Sequence, residues 1–249
     1  MRADVYLTEH GHASSRRRAQ ELIDQGLVSI DGKIVPKSSF AVSDSEHTVT
    51  VSHGDHFRFV SRGGEKLEGA LERFGIDVGG MLALDIGAST GGFTDCLLQR
   101  GASHVIAVDA GVGQLASVLL NDPRVTSLEK INARDLTLDT IGGKRVDLIV
   151  MDVSFISATY IIPHYAELLT PAGQALCLIK PQFEVGRAAL GKGGIVKDPE
   201  EHRRAIERVC ACAEQNGLTV VDVIPSPILG GDGNKEFLAH MKVRRKEDS

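Results

Sequence analysis

Apolar runs alternate with amphipathic stretches along most of this chain, from about residue 60 onward. Runs such as 146–150 are apolar at nearly every position, which is typical of strands buried on both faces of a parallel sheet. Seven such runs predict strands. They are Met81–Ile86, His104–Asp109, Val125–Leu128, Val146–Met151, Ala175–Ile179, Leu218–Ile224 and Phe237–Val243.

Stretches with apolar residues at helical spacing lie between these strands. In the first of them, Leu67, Leu71 and Phe74 fall on one face. The alternation of strands and helices predicts an α/β fold with a doubly wound, seven-stranded sheet. The predicted helices are Gly64–Phe74, Phe93–Gln99, Gln114–Leu120, Ile161–Leu168 and Glu201–Gln215.

The first 59 residues have a different pattern, which predicts a small α+β domain. Ser14 can cap a helix, and apolar runs flank Asp31-Gly32, a strong hairpin signal. A second pair of strands is predicted at Thr48–Val51 and Phe57–Val60. The two predicted domains are residues 1–59 and residues 60–249.

Composition narrows the class of protein. The 249 residues are 42% hydrophobic, which is enough for a substantial core. No stretch approaches the roughly 20 apolar residues that span a bilayer, and the first residues lack the apolar segment of a signal peptide, so we expect a cytoplasmic location. The net charge of -5 means that nucleic-acid binding would depend on local basic patches. The four cysteines lack Cys-x-x-Cys spacing, so we expect packing roles and no metal.

A glycine-rich turn follows the first strand of the predicted sheet and precedes a helix, as in nucleotide-binding βαβ units. The charge of Asp85 would repel a pyrophosphate but attract the cationic amino-acid part of S-adenosylmethionine (SAM). Asp109, at the end of the next strand, can accept hydrogen bonds from ribose hydroxyls. A turn whose glycines serve backbone geometry alone is the alternative. The predicted cofactor-binding residues here are Asp85, Gly87, Ala88, Ser89, Thr90, Gly91, Gly92, Phe93 and Asp109.

Charged residues also stand at the ends of other predicted strands. Asp152 and Lys180 each come directly after a buried strand, where an unpaired charge is expensive. Because ligands of doubly wound sheets bind at the carboxyl ends of strands, we expect these two groups to face one polar cleft and to pair. A purely structural salt bridge is the weaker alternative. For Lys66 and Glu236, spacing alone favours surface charge.

The N-terminal pattern resembles the αL-type RNA-binding module of ribosomal proteins and RNA-modifying enzymes. The resemblance depends on the spacing of Gly11, Ala19, Leu22, Gly26 and Gly32. In such modules a basic helix and a hairpin hold RNA phosphates, which positions an RNA without reading its sequence. Composition alone would favour a solvated helix face for these basic residues.

A second basic group lies at Arg62 and in the long, glycine-rich loop Gln182–Asp198. A lid that closes over RNA and a merely mobile loop are equally favoured for this segment. The predicted RNA-binding residues of both groups are Arg16, Arg17, Arg18, Lys33, Lys37, Arg62, Arg187 and Lys192.

Six motifs occur in order along residues 61–237. They are Ser61-Arg62-Gly63-Gly64-x-Lys66-Leu67, Asp85–Asp95, Val108-Asp109-x-Gly111-x-Gly113-Gln114-Leu115, Ile179–Glu184, Gly191–Val196 and Gly233-Asn234-x-Glu236-Phe237. With these motifs nearly the whole chain resembles the TlyA family, also called hemolysin A. That family joins an αL-type module to an FtsJ-like, class I SAM-dependent methyltransferase domain with a Rossmann-like sheet.

The resemblance implies methylation of ribose 2'-hydroxyls, mainly of cytidine, in ribosomal RNA of the small subunit, the large subunit or both. SAM is then the cofactor, and ribosomal RNA or ribosomal subunits are the partners. The family's catalytic Lys-Asp-Lys-Glu tetrad corresponds to Lys66, Asp152, Lys180 and Glu236, and Asp152 also contributes to the cofactor site. Asp135 is expected to contact the adenine side of the cofactor, although Ala133 beside it departs from the family pattern.

The chemistry requires that a ribose hydroxyl, a poor nucleophile, loses its proton as the methyl group arrives. A lysine accepts such a proton only when its pKa lies well below the usual value of about 10.4. We hypothesise that Lys180 is the base or orients the hydroxyl, and that Lys66 assists it or stabilises the developing alkoxide. Asp152 and Glu236 would hold the lysines and the hydroxyl in line with the methyl group.

Three other classes of function are weighed against this one. A non-catalytic RNA-binding assembly factor would not need the complete tetrad. A membrane-lytic protein, suggested by the hemolysin name, would be expected to carry a basic amphipathic helix with large apolar residues, and the chain has no tryptophan. A nicotinamide dehydrogenase is disfavoured by Asp85 and by the Ser-Thr sequence of the turn.

Overall fold

A computed structural model describes residues 1–13, 16–24, 26–43, 45–51, 58–231 and 233–244. Two sheets organise these residues, one of three strands near the N-terminus and one of seven strands in the rest of the chain. The side chains of Arg17 and Glu21, inside a helix, lie outside the description.

The N-terminal part contains two helices and three short antiparallel strands. The elements are α1 (Ala3–Glu9), α2 (Arg16–Asp24), β1 (Val28–Ile30), β2 (Lys33–Ile34) and β3 (Val49–Val51), with strand order β2-β1-β3. Tyr6, Leu7 and Ile23 from the helices pack with Val28 of the sheet in one buried cluster. The hairpin prediction is confirmed, because β1 pairs with β2 across Asp31-Gly32, and both turn residues have positive φ.

The N-terminal part differs from the prediction at three points. Helix α1 was not predicted. Its buried face contains Ala3, Tyr6 and Leu7, which are apolar residues at helical spacing. The strand at Thr48–Val51 is present as β3, but it pairs with β1. Residues 58–60 are bends rather than a strand, while residues 52–57 and the predicted cap Ser14 lie outside the described residues.

The second sheet has the predicted seven strands. They are β4 (Leu82–Ile86), β5 (His104–Asp109), β6 (Val125–Glu129), β7 (Val146–Met151), β8 (Leu169–Ile179), β9 (Leu218–Pro225) and β10 (Phe237–Val243). Their order is β6-β5-β4-β7-β8-β10-β9. Neighbours are parallel from β6 through β8, whereas β10 runs antiparallel to both of its neighbours.

The helices of this part are α3 (Gly63–Phe74), α4 (Gly92–Gln99), α5 (Ser117–Leu120), α6 (Tyr165–Leu168), α7 (Pro181–Glu184) and α8 (Pro199–Gln215). Two predicted helices are shorter than expected. Ala116 is extended, so the helix predicted from Gln114 begins only at Ser117. A 3-10 turn replaces the first half of the helix predicted at Ile161–Leu168.

The sheet is buried on both faces, as a doubly wound fold requires. Leu148 and Val150 of β7 pack in the cluster that contains Leu67 of α3 and Leu97 of α4. Ile149 and Met151 of the same strand belong to the opposite cluster, with residues of α6 and α8. Among the described residues, no helix is long and apolar enough to cross a membrane.

Strand direction decides which residues meet at the edge of the sheet. The neighbouring parallel strands β4, β7 and β8 end side by side, so Asp152 and Lys180 follow at the same edge. Because β10 is reversed, it begins where β8 ends, and Phe237 is paired with Ile179. Glu236, which precedes Phe237, is therefore brought to this edge as well.

Replacement of Gly64 by alanine is expected to destabilise the protein by about 1–3 kcal/mol through overpacking. A methyl group there would lie 2.3–2.5 Å from Cβ, Cγ and Cδ2 of the buried Phe59 side chain, which has no room to rotate away. The free energy of unfolding in urea measures the effect.

Gly186→Ala is the matched control, because a methyl group at Gly186 meets nothing within 4 Å and its φ of -67° suits alanine. Equal losses of stability in the two variants would contradict the close packing of α3 against Phe59.

Candidate active site

A tight turn joins β4 to α4 at the carboxyl edge of the sheet. Its backbone has positive φ at Gly87 (84°), Ser89 (47°) and Gly91 (97°). A methyl group on Gly87 would lie 2.7 Å from the backbone oxygen of Asp152. Glycine is therefore needed at this position both for its conformation and for the close approach of two strand ends.

The side chains of this turn do not all face the site. Ala88 and Phe93 are buried in the core cluster beside α3 and α4. Gly92 begins α4, and Thr90 is buried, with its backbone oxygen accepting from the amide of Ala116. Any cofactor contact made by Ala88 or Phe93 must therefore come from the backbone.

Asp85 is fully buried beneath this turn. Its Oδ2 accepts a hydrogen bond of 2.7 Å from the hydroxyl of Thr94, while its Oδ1 is buried without a hydrogen-bond partner among the described residues. Burial raises the pKa of Asp85 to about 7, the Thr94 hydroxyl opposes that rise, and the charges of Asp152 and Asp109 add to it.

The unpaired oxygen of Asp85 fits a cationic donor. A buried carboxylate oxygen without a donor is costly, and an ammonium group would both satisfy it and favour its charged form. The residues at this turn therefore fit the amino-acid part of SAM, with Asp85 as the anion and the glycines giving access to the backbone.

Asp109 holds the neighbouring loops. One carboxylate oxygen accepts from the amide of Ser89 at 2.9 Å and the other from the amide of Gly111 at 2.7 Å. Each oxygen has a second lone pair, so ribose hydroxyls can still bind. Asp135 is exposed on a 3-10 turn, four residues beyond Ile131, whose amide bonds the backbone oxygen of Asp109. Its cofactor role stays a prediction.

The predicted pairing of Asp152 with Lys180 is present in the structure. The Lys180 Nζ lies 2.6 Å from the Asp152 Oδ1, and it donates a 2.8 Å hydrogen bond to the Ser154 hydroxyl. Burial alone would raise the pKa of Asp152, but the nearby ammonium groups of Lys180 and Lys66 outweigh it and hold that pKa below its usual value. The carboxylate is therefore charged at neutral pH.

Lys66 and Glu236 form a second buried ion pair, 170 residues apart in sequence. The Lys66 Nζ donates to the Glu236 Oε2 at 2.6 Å, and the side chains are only 11% and 3% exposed. Surface charge, the interpretation favoured by spacing, is therefore wrong for both residues. Because Lys66 also acts on Asp152, the two pairs share one electrostatic environment.

Three residues of the site were not predicted. Ser154 bonds Lys180, and Phe155 is 81% exposed, in a left-handed conformation (φ 65°), with its ring 5.3 Å from that of Phe183. Glu184 accepts from the Ser157 hydroxyl at 2.5 Å and from the Ala158 amide at 2.7 Å, which ties the segment after Asp152 to α7. A large apolar residue three positions after a strand-end carboxylate was the available signal for Phe155.

The predicted RNA-binding residues lie mostly at the surface. Arg16 is exposed at the start of α2 and contacts the buried Asp4 at 3.3 Å, whereas Arg18 is half-buried. The remaining exposed residues are Lys33, Lys37, Arg187 and Lys192. Arg62 is partly buried just before α3, and its Nε has no hydrogen-bond acceptor among the described residues. The side chain of Arg17 lies outside the description.

Comparison with known proteins agrees with this geometry. Residues 59–243 match the family model for FtsJ-like methyltransferases, and residues 1–47 match the S4 domain. The fold and site thus define a methyltransferase of the FtsJ-like type that carries an S4 domain.

The TlyA protein of Mycobacterium tuberculosis, named a 16S/23S rRNA (cytidine-2'-O)-methyltransferase, is 46% identical over 98% of this chain and 90% of that protein. Hemolysin A of Brachyspira hyodysenteriae is 41% identical over 98% of this chain and its own full length. A solved structure from Streptococcus thermophilus that carries a hemolysin name matches with a TM-score of 0.76 and 41% identity, over 98% of this chain and 88% of that one. The chain belongs to the TlyA family, and its methyl donor is SAM.

SAM is expected to bind several-fold more tightly at about pH 7.5 than at about pH 6. Asp85 is partly protonated in the free protein because its pKa is about 7, and a bound cation would hold it ionised, so that binding releases a proton. Affinity therefore rises as the pH rises toward and through that pKa. Calorimetric titration in two buffers measures both the Kd and the proton release.

Asp85→Asn is the control, because the amide cannot ionise and Thr94 can still donate to its oxygen. This variant should bind SAM more weakly and with little change across the same pH range. An equal pH dependence in both proteins would contradict the assignment of Asp85 as the anion of the cofactor site.

Proposed function

We propose that this protein transfers a methyl group from SAM to a ribose 2'-hydroxyl of cytidine in ribosomal RNA of the small subunit, the large subunit or both. The observation that carries the proposal is the meeting of two lysine–carboxylate pairs, one buried and one partly buried, beside the glycine turn. The printed name of the Mycobacterium tuberculosis relative supports cytidine and ribosomal RNA as the substrate class.

The site has what an in-line transfer to a hydroxyl needs. SAM supplies a methyl group on a sulfonium, which is already activated. Placement of the hydroxyl is then the main task, and well-oriented groups can supply several kcal/mol of barrier lowering. Asp152 links the cofactor side of the site to the tetrad. Its backbone oxygen lies against Gly87 of the glycine turn, and its carboxylate holds Lys180.

The ion pairs favour a role for the lysines as cations. Each lysine nitrogen lies 2.6 Å from a carboxylate oxygen, an arrangement in which an ammonium group donates a charge-assisted hydrogen bond. We infer that Lys180 orients the hydroxyl as a hydrogen-bond donor and that Lys66 stabilises negative charge that develops on the oxygen. The hydroxyl proton then leaves to a carboxylate or to water.

RNA would approach over the S4 domain and the exposed edge of the site. Arg16, Lys33 and Lys37 are exposed, and we expect them to contact phosphates. Phe155 offers an exposed ring beside the tetrad on which an unpaired base can stack. The division of the chain after residue 59 and the cytoplasmic location belong to this proposal as well.

A non-catalytic assembly factor is the alternative. It would need the S4 domain but not two lysines buried beside carboxylates. Burying charged groups costs free energy of folding, and an assembly factor gains nothing from that cost. The site therefore favours the enzyme.

Glu236→Gln is expected to lower kcat by roughly 100-fold or more, because it leaves the buried Lys66 without its counter-charge and moves it from its position. The Kd for SAM should stay within about threefold of wild type, since Asp85 and the glycine turn are unchanged. Single-turnover methyl transfer to ribosomal RNA and calorimetry measure the two quantities.

The matched control is Glu207→Gln, which removes an exposed ion pair with Arg203 on α8. Surface pairs contribute little, so this variant should keep its activity within about twofold. Equal activity of the two variants would count against the tetrad.

The proposed function is tested by methyl transfer from labelled SAM to separated small and large ribosomal subunits, with Asp152→Ala as the inactive control. We expect label on the RNA of at least one subunit and none with the variant. Intact SAM binding without label on either subunit, on naked ribosomal RNA or on assembly intermediates would favour the assembly factor.

A further inference from the structure

Two consecutive glycines, Gly230 and Gly231, lie between the active site and the S4 domain. They belong to the β9–β10 loop (residues 226–236), in which Asp232 is outside the described residues. Neither glycine is among those with positive φ. Their lack of a side chain is therefore required by close contacts rather than by backbone conformation.

Gly230 packs against the active site. A methyl group on it would lie 2.5 Å from the Oε1 of Glu236 and 2.9 Å from its Cδ. The other oxygen of that carboxylate, Oε2, is held by Lys66. The Glu236 carboxylate therefore lies between the backbone of Gly230 and the ammonium group of Lys66.

Gly231 packs against the S4 domain. A methyl group on it would lie 2.7 Å from Cβ and 2.8 Å from Cγ of Asp24. Asp24 is the last residue of α2, the helix that begins with Arg16. The helix expected to hold RNA phosphates thus ends on the loop that carries Glu236.

Hydrogen bonds connect this contact to the segment that carries Glu236. The amide of Gly230 donates to the Asn234 oxygen and the amide of Gly233 to the Gly230 oxygen, both at 2.9 Å. The side chain of Asn234, which is only 1% exposed, accepts from the Val196 amide at 2.9 Å. We therefore expect a displacement at Gly231 to shift Gly230 and Glu236 as well.

We propose that Asp24 is a positioning residue for methyl transfer: by docking on Gly231, the end of α2 sets the place of Glu236 in the tetrad. Binding of RNA to the S4 domain and assembly of the catalytic site are then coupled through a single contact. This inference rests on the proposed function of the tetrad.

The test exchanges the sizes of the two contacting residues. Gly231→Ala should lower kcat for ribosomal RNA about tenfold, while the Kd for SAM and the KM for RNA change little, because only the placement of Glu236 is disturbed. Asp24→Gly alone should cost a few-fold, since the loop loses its support. The double variant Gly231→Ala/Asp24→Gly should recover to within about twofold of Asp24→Gly.

Asp24→Ala is the matched control. It removes the carboxylate but keeps the Cβ that the new methyl group would meet, so Gly231→Ala/Asp24→Ala should stay slow. Full activity of Gly231→Ala, or failure of Asp24→Gly to restore the activity of Gly231→Ala, would overturn the proposal.

Hydrogen exchange separates this inference from the proposed function. Without RNA, Gly231→Ala should speed amide exchange in the β9–β10 loop and at the end of α2 together, and Asp24→Gly should reverse the change in the loop. If the wild-type protein methylates no ribosomal substrate, the proposed function fails. Amide hydrogen exchange still tests the contact between Asp24 and Gly231. Unchanged exchange in both segments would overturn the docking contact itself.

Discussion

The active site depends on two lysines that are buried beside carboxylates at one edge of a sheet. Each ammonium group would be expensive to bury alone, and each carboxylate likewise, so the four groups require one another. Lys66 comes from the start of α3 and Glu236 from the residue before β10. Only the reversed direction of β10 brings Glu236 to the edge where the parallel strands end.

The cofactor side and the substrate side meet at Asp152. Its backbone oxygen limits position 87 to glycine, and its carboxylate holds Lys180. The same carboxylate also contributes to the raised pKa of Asp85. A positive charge that arrives at Asp85 therefore relieves repulsion between buried carboxylates, which explains how a site with several acidic groups can be stable and ready to bind a cation.

Much of the large sheet could be predicted from the sequence, because buried parallel strands are nearly continuous apolar runs and their ends are marked by glycines and charges. Asp152, Lys180 and the glycine turn were found in this way. Lys66 and Glu236 could not be found from spacing, since their burial arises from a contact across 170 residues, and the family resemblance alone pointed to them.

The features that the sequence did not predict have similar causes. Strand β3 was predicted, but its partner depends on long-range pairing with β1, which a local pattern does not encode. Phe155 had a local signal, a large apolar residue three positions after a strand-end carboxylate, but the exposure of its ring depends on the fold. The contact of Asp24 with Gly231 joins two domains, so neither residue carries a signal in its own segment.

A ribose oxygen is the proposed methyl acceptor of this site. The most direct measurement digests ribosomal RNA to nucleosides after reaction with isotopically labelled SAM and identifies the labelled nucleoside by mass spectrometry. We expect 2'-O-methylcytidine, with the label on the ribose and absent when Asp152 is replaced by alanine. Label on a base instead of the ribose, with the same loss in the variant, would contradict it.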